Sequence, residues 1–155
     1  MKYLLLLFAA FFIPALSNAQ AVTPESVQGN WKMYAFNING IYWDFKSDVV
    51  TLPAEYEKLG KSQKDAMIAD IRSGLAVYKE GTLSIKGNYV EQQMDGKTGS
   101  GTFTIEKQKE STFLRIVNDN AEKTVDIMKA VIADGKLHLT IPDEMGGAST
   151  LIYCK

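Results

Sequence analysis

The sequence predicts a mostly β protein, an antiparallel up-and-down β-barrel of about eight to ten strands with a short helical segment. Short apolar runs alternate with polar residues over the second half of the chain, as in half-buried strands. Turn dipeptides such as Asp95-Gly96 and Asp134-Gly135 separate these runs at short, even spacing, which indicates consecutive hairpins. Closure of such a meander removes its exposed edges, so a barrel is the expected arrangement.

The N-terminus has the pattern of a secretory signal peptide. Lys2 supplies a positive charge, and residues 4–13 form an unbroken apolar run that is too short to span a bilayer. Residues 17–19 (Ser-Asn-Ala) then match the small-x-small pattern of a cleavage site. We therefore predict that residues 1–19 are removed and that the protein is exported; a buried N-terminal helix is the alternative. No later stretch is long and apolar enough to span a membrane.

The rest of the 155-residue chain has the length of one domain. We divide it into an N-terminal extension, residues 20–28, and a barrel domain, residues 29–155. The charge is nearly balanced, with 17 basic and 18 acidic residues, which argues against a nucleic-acid partner. Cys154 is the only cysteine, so no intramolecular disulfide is available and the core must stabilise the fold. We expect a monomer.

The first long strand is predicted at residues 30–38, where apolar side chains fall on both parities, as in a strand buried on both faces. Residues 51–74 are instead rich in Ala, Glu, Lys, Gln and Met, which favour helix. Gly60 interrupts this segment, so two short helices are predicted, the second beginning at Ser62 and ending at Gly74. The helices therefore lie between the first and second long strands.

The remainder of the chain predicts a series of short strands, each followed by turn-forming residues. A possible continuation of the first strand covers residues 41–45. The later predicted strands cover residues 75–79, 83–86, 89–94, 101–107, 113–117, 123–133, 137–141 and 149–154.

The residues that carry catalysis or bind metals in other proteins form no recognisable set here. His138 is the only histidine, and it has no second His or suitable Cys for a zinc site. Residues 96–98 (Gly-Lys-Thr) match the end of a phosphate-binding loop, but Glu91 occupies the position where that motif needs its leading glycine. Asp143 and Glu144 lack the alternate ligand spacing of a calcium loop. We therefore predict no enzyme activity, no bound metal and no cofactor.

Gly29-Asn30-Trp31 is a G-x-W pattern at the start of the first strand. In this pattern, in the helix pair and in its last two strands, the chain resembles the lipocalins and fatty-acid-binding proteins, the calycin group. Within that group it is most similar to bacterial lipocalin-like proteins, which implies a periplasmic or secreted bacterial protein. The resemblance implies structural roles for Gly29 and Trp31, with the tryptophan closing one end of the barrel. It also implies a late cation stacked on Trp31, for which Lys129 and Lys155 are the candidates.

The fatty-acid-binding branch often has an arginine two positions before the tyrosine of the last strand, and the pair clamps a carboxylate. Leu151 stands at that arginine position here. Tyr153 can therefore still donate one hydrogen bond to a ligand, but the charge-assisted hydrogen bonds of the arginine are absent.

The resemblance implies a binding protein that holds a small apolar or amphipathic ligand inside the barrel. Aromatic and Met side chains are the candidate lining, although each is equally an ordinary core candidate: Tyr34, Phe36, Tyr78, Tyr89, Phe103, Phe113, Met128 and Tyr153. The alternative is a protein–protein interaction module, an inhibitor or accessory subunit, with a filled barrel and contact loops at residues 97–101 and 143–147. Whether the interior is hollow or filled discriminates between these hypotheses.

Overall fold

The computed structural model describes residues 19–142 and 146–155, and its architecture is a closed antiparallel β-barrel of eight strands. The strands of the described residues are β1 (Ala19–Gln20), β2 (Gly29–Ile38), β3 (Ile41–Asp44), β4 (Val49–Thr51), β5 (Thr82–Lys86), β6 (Tyr89–Met94), β7 (Lys97–Gln108), β8 (Ser111–Asn118), β9 (Val125–Ala133), β10 (Lys136–Pro142) and β11 (Ala148–Cys154). β2 and β5 to β11 form the barrel in up-and-down order, and β11 pairs with β2 to close it. The predicted fold class is confirmed. Residues 1–18 of the predicted signal peptide lie outside the described residues.

β2 is bent by a β-bulge, which explains its apolar residues on both parities. Ile152 of β11 lies opposite Ala35, but the next residue, Tyr153, lies opposite Met33, so Tyr34 is an extra residue in β2. The bulge shifts the alternation by one position. Met33 and Phe36 therefore both belong to the hydrophobic core, although their spacing does not fit a regular strand.

The helical segment differs in detail from its prediction. Its first half forms a single 3-10 turn, Ala54–Tyr56, and its second half forms one helix, α1 (Lys61–Leu75). The predicted strand at residues 75–79 is wrong, because Ala76–Glu80 is a second 3-10 helix. Leu75 and Tyr78 both pack against the core, and a spacing of three residues brings side chains to one face of a 3-10 turn but not of a strand.

One end of the barrel, here called the floor, is closed by Trp31. The segment between β1 and β2 contributes Val22 and Val27 to the buried core, and the Trp31 indole N–H donates to the Val27 carbonyl oxygen at 2.8 Å. The Lys155 Nζ lies 4.6 Å from the centroid of the Trp31 ring. Lys155, and not Lys129, is therefore the late cation on this tryptophan.

α1 is attached to the β3–β4 hairpin through the carbonyl oxygen and the carboxylate of Asp48. This carboxylate accepts from the indole N–H of Trp43 at 3.0 Å and from Lys79 Nζ at 3.2 Å. Arg72 of α1 donates to the Asp48 carbonyl oxygen at 2.6 Å and lies 3.3 Å from its carboxylate. The hydrogen bonds from Lys79 and Trp43 lower the pKa of Asp48. Trp43 also packs edge-on against Phe36, and the centroids of the two rings lie 5.9 Å apart.

Candidate functional site

The interior of the barrel is largely filled by its own side chains, but a cavity of about 60 Å³ remains. It is lined by Leu83, Val90, Gln92, Gly99, Ser100, Ile116, Asn118, Asp126, Met128 and Leu139. Sites for drug-sized molecules usually measure about 300–1,000 Å³. This cavity has room for about two water molecules or a small chemical group.

Gly99 of β7 keeps part of this cavity free. Gly99 lies opposite Gln92 of β6, and a Cβ atom added to it would meet no heavy atom within 4 Å. Gly101, two residues further along β7, has a different role. A Cβ atom there would overlap the backbone of Val117 on β8, so Gly101 permits the two strands to approach closely.

One polar group on the cavity wall is the side-chain amide of Gln92, which donates to the Tyr153 hydroxyl oxygen at 2.7 Å. Tyr153 is fully buried. Burial raises the pKa of its hydroxyl to about 12, against the smaller opposing effect of the hydrogen bond from Gln92. The pair is therefore uncharged at physiological pH, and this bond leaves the Gln92 amide oxygen unused.

The rim of the cavity carries a carboxylate. Asp126 of β9 accepts a hydrogen bond from the Asn118 side-chain amide at 2.7 Å, and the same amide also donates to Thr124 at 3.0 Å. The neighbouring carboxylate of Asp119 lies 3.5 Å from Lys123 Nζ. Among the ion pairs of the described residues, none includes Asp126. The rim therefore combines one fixed amide with one carboxylate that has no cationic partner in this part of the chain.

A shallow depression of about 290 Å³ adjoins the cavity. It is lined by one glycine and five residues with hydroxyl, amide or carboxylate groups: Thr98, Gly99, Ser100, Asn118, Asp119 and Asn120. Gly99, Ser100 and Asn118 border both spaces. We call the cavity, its rim and this depression together the open end of the barrel.

Of the eight predicted lining residues, the structure places only Met128 against the cavity. Phe36, Phe103 and Tyr153 lie inside the barrel as packed core, with Tyr153 in contact with the cavity-lining Gln92. Tyr78 reaches the core from the second 3-10 helix, with its ring 6.1 Å from that of Phe36.

The other three predicted residues lie away from the interior. Tyr34, the bulge residue, packs under Lys136 Nζ, 4.5 Å from its ring centroid. Tyr89 is 41% exposed. Phe113 borders a depression beside the β7–β8 turn, because the neighbouring Leu114 takes the inward position.

The prediction of a contact loop at residues 97–101 is wrong, because β7 begins at Lys97 and runs through this segment. Residues 143–145 of the other proposed loop lie outside the described residues. His138 is half-buried in β10 between Val131 and Ile152, and this burial lowers the pKa of its imidazole.

Sequence reasoning missed Gln92, Gly99, Asn118 and Asp126. One signal for them was present, because a glycine inside a strand pattern often marks a place where a ligand or another backbone approaches closely. Polar residues at positions that continue an inward-facing alternation, such as Gln92 two residues after Val90, give a second signal.

Among the described residues, no three His, Cys, Asp or Glu side chains lie close enough together to hold a metal ion. The same part of the chain contains no helix of the length and hydrophobicity needed to cross a membrane. No protein-family model matches the sequence, and neither a curated protein nor a solved structure is significantly similar to it.

Proposed function

We propose that this protein is an exported, lipocalin-like binding protein of the calycin type that holds a small amphipathic molecule at the open end of its barrel. The observation that carries the proposal is the position of the cavity. The space that the core leaves unfilled adjoins a polar rim, and Gly99 leaves free space where the two meet. A molecule with one apolar and one polar part suits such a site.

The calycin assignment within this proposal is supported by the floor of the barrel. Trp31 follows Gly29 at the start of the first barrel strand, is almost completely buried, and lies under the cation of Lys155. This arrangement is the one that the resemblance to calycins implies for their G-x-W motif.

The dimensions of the open end limit the ligand. A cavity of about 60 Å³ accepts only a short apolar group, so most of the molecule must lie in the polar depression outside. A long-chain lipid enclosed in the barrel requires displacement of core side chains such as Phe36 or Phe103. The proposed ligand is therefore small and only partly buried.

A pair of glycine variants tests this proposal. The protein is purified from its own host and its retained small molecules are identified by native mass spectrometry. Gly99→Leu fills the cavity entrance and is expected to abolish retention, whereas Gly74→Leu, on α1 where an added Cβ also meets nothing within 4 Å, is expected to retain the ligand. Circular dichroism verifies that both variants fold. Equal retention by folded Gly99→Leu and wild-type protein contradicts a site at the open end.

The small size of the cavity favours a second candidate function, a protein–protein interaction module with a filled barrel. In that case the purified protein carries no small molecule. A stoichiometric complex with one protein partner that survives Gly99→Leu would then support the second function.

A further inference from the structure

We infer that the open end selects neutral and positively charged head groups and rejects carboxylates, so that its ligand is a short amphipathic amine or alcohol and not a fatty-acid anion. This inference rests on the proposed function and adds the chemical class of the ligand. It follows from the charges on the rim, from the groups inside the cavity and from the cavity's size.

The cavity offers no positive charge to an anion. None of the residues that line it is Lys, Arg or His. Lys123, beside the depression, pairs with Asp119, and Lys97 borders a separate depression with Val77 and Glu80. A carboxylate that entered would lose hydration without gaining a charged partner, and such a transfer is strongly unfavourable.

The rim favours a cation. The Asn118 amide holds Asp126 in place through one of its carboxylate oxygens, Oδ2. Asp126 lines the cavity and has no cationic partner among the described residues, in contrast to Asp119. An ammonium group at the rim, beside Asn118 where the cavity and the depression meet, can therefore approach this carboxylate while its apolar substituent enters the cavity. The same carboxylate repels an anionic head group.

The inner part of the cavity sets the size and polarity of the substituent. Leu83, Val90 and Met128 provide apolar walls. The Gln92–Tyr153 pair is uncharged, so this part of the wall accepts a methyl group or a hydroxyl but provides no counter-ion. A space of this size holds only the last one or two carbon atoms of a chain, so a four-carbon chain places its end in the cavity and the rest at the rim.

Three probes with the same four-carbon chain test the inference: n-butylamine, n-butanol and butyrate. Their binding is measured by NMR titration at neutral pH, with the Gly99 amide and the Met128 methyl group as reporters. Butylammonium is expected to bind about two- to fivefold more tightly than butanol, the ratio that an ion pair with an exposed carboxylate such as Asp126 provides. Butyrate is expected to bind more weakly than either. Added salt is expected to reduce the advantage of the amine but not to alter butanol binding.

Asp126→Asn is expected to bring the affinity ratio of amine to alcohol close to one. The control is Asp134→Asn, which removes a carboxylate in the β9–β10 turn, where asparagine tolerates the positive φ of 51°. This control is expected to keep the wild-type ratio.

The outcomes separate the two proposals. If all three probes bind equally and Asp126→Asn changes nothing, the open end is a binding site but the proposed ligand class is wrong. If butyrate binds most tightly, the class is also overturned. If none of the probes shifts the two reporters, both the ligand class and the proposed function are contradicted.

Discussion

Replacing Gly101 by alanine places a methyl group against the backbone of the neighbouring strand. The added Cβ would lie 3.0 Å from the Val117 carbonyl carbon and 3.1 Å from the Asn118 Cα, and it would overlap the Val117 carbonyl oxygen. These backbone atoms belong to the β7–β8 ladder, in which Gly101 lies opposite Asn118, so they cannot move independently. Overpacking of this kind costs about 1–3 kcal/mol. We expect Gly101→Ala to lie at the upper end of that range, because the obstacle is backbone and not a flexible side chain.

Gly99→Ala is the matched control, since it makes the same change on the same face of the same strand. Its methyl group meets no heavy atom within 4 Å. Removing a glycine restricts the unfolded chain, so Gly99→Ala is expected to stabilise the protein by about 0.5 kcal/mol. Urea denaturation followed by tryptophan fluorescence measures both variants. The expected difference in the free energy of unfolding between the two variants is about 2.5–3.5 kcal/mol. If the free energies of unfolding of the two variants differ by less than about 0.5 kcal/mol, the usual effect of surface substitutions, the close approach of β7 and β8 is refuted.

Three further variants test the floor, the helix attachment and the buried tyrosine. Lys155→Ala removes the cation from Trp31 and is expected to cost about 0.5–1 kcal/mol in urea denaturation, while Lys155→Arg retains most of it. Asp48→Ala removes the carboxylate that pairs with Arg72 of α1 but leaves the carbonyl oxygen to which Arg72 donates, so hydrogen exchange in that helix is expected to accelerate modestly while the barrel strands and the control Asp134→Ala stay protected. Because burial raises the pKa of Tyr153 to about 12, the folded state retains the phenolic proton longer than the unfolded state; stability is expected to fall as pH rises from about 10 to about 12, by up to about 2.7 kcal/mol. The stability of Tyr153→Phe is expected to depend less on pH between about 10 and 12. An identical pH dependence in both proteins would contradict the burial of the hydroxyl.

The fold was predictable because its determinants are local. Asp95 and Asp134 both adopt positive φ and both precede a glycine with positive φ, as tight hairpin turns require. Each such turn joins two neighbouring strands, so the regular spacing of turn dipeptides in the sequence specifies an up-and-down order of strands. A chain with this order and alternating apolar residues closes by pairing its first long strand with its last.

The errors arose where a pattern fits two structures. Residues 75–78 form a short apolar run that fits a strand, but contacts of Leu75 and Tyr78 with the core favour a 3-10 turn. Apolar residues on both parities of β2 predict a strand buried on both faces, whereas the bulge at Tyr34 shifts which residues face inward. Neither a bulge nor a 3-10 turn changes composition, so the sequence alone does not distinguish them.

The site was harder to predict than the fold because it depends on strands that are distant in sequence. A cavity is the volume that remains after all inward side chains are packed. Aromatic residues on the strands predict a ligand-binding lining, but large residues such as Trp43 and Phe103 fill the interior themselves. Gln92 and Tyr153 are 61 residues apart in the chain and meet only because the barrel closes. The aromatic residues therefore identify the core, whereas the polar residues of the rim and Gly99 identify the open end.

The most direct test of the central claim is a crystal structure of the protein purified from its own host. We expect electron density for a small molecule that extends from the rim at Asn118 and Asp126 past Gly99 towards Gln92. A well-ordered structure with only water in this cavity, or with the retained molecule bound elsewhere on the barrel, would contradict the claim that the open end is the binding site.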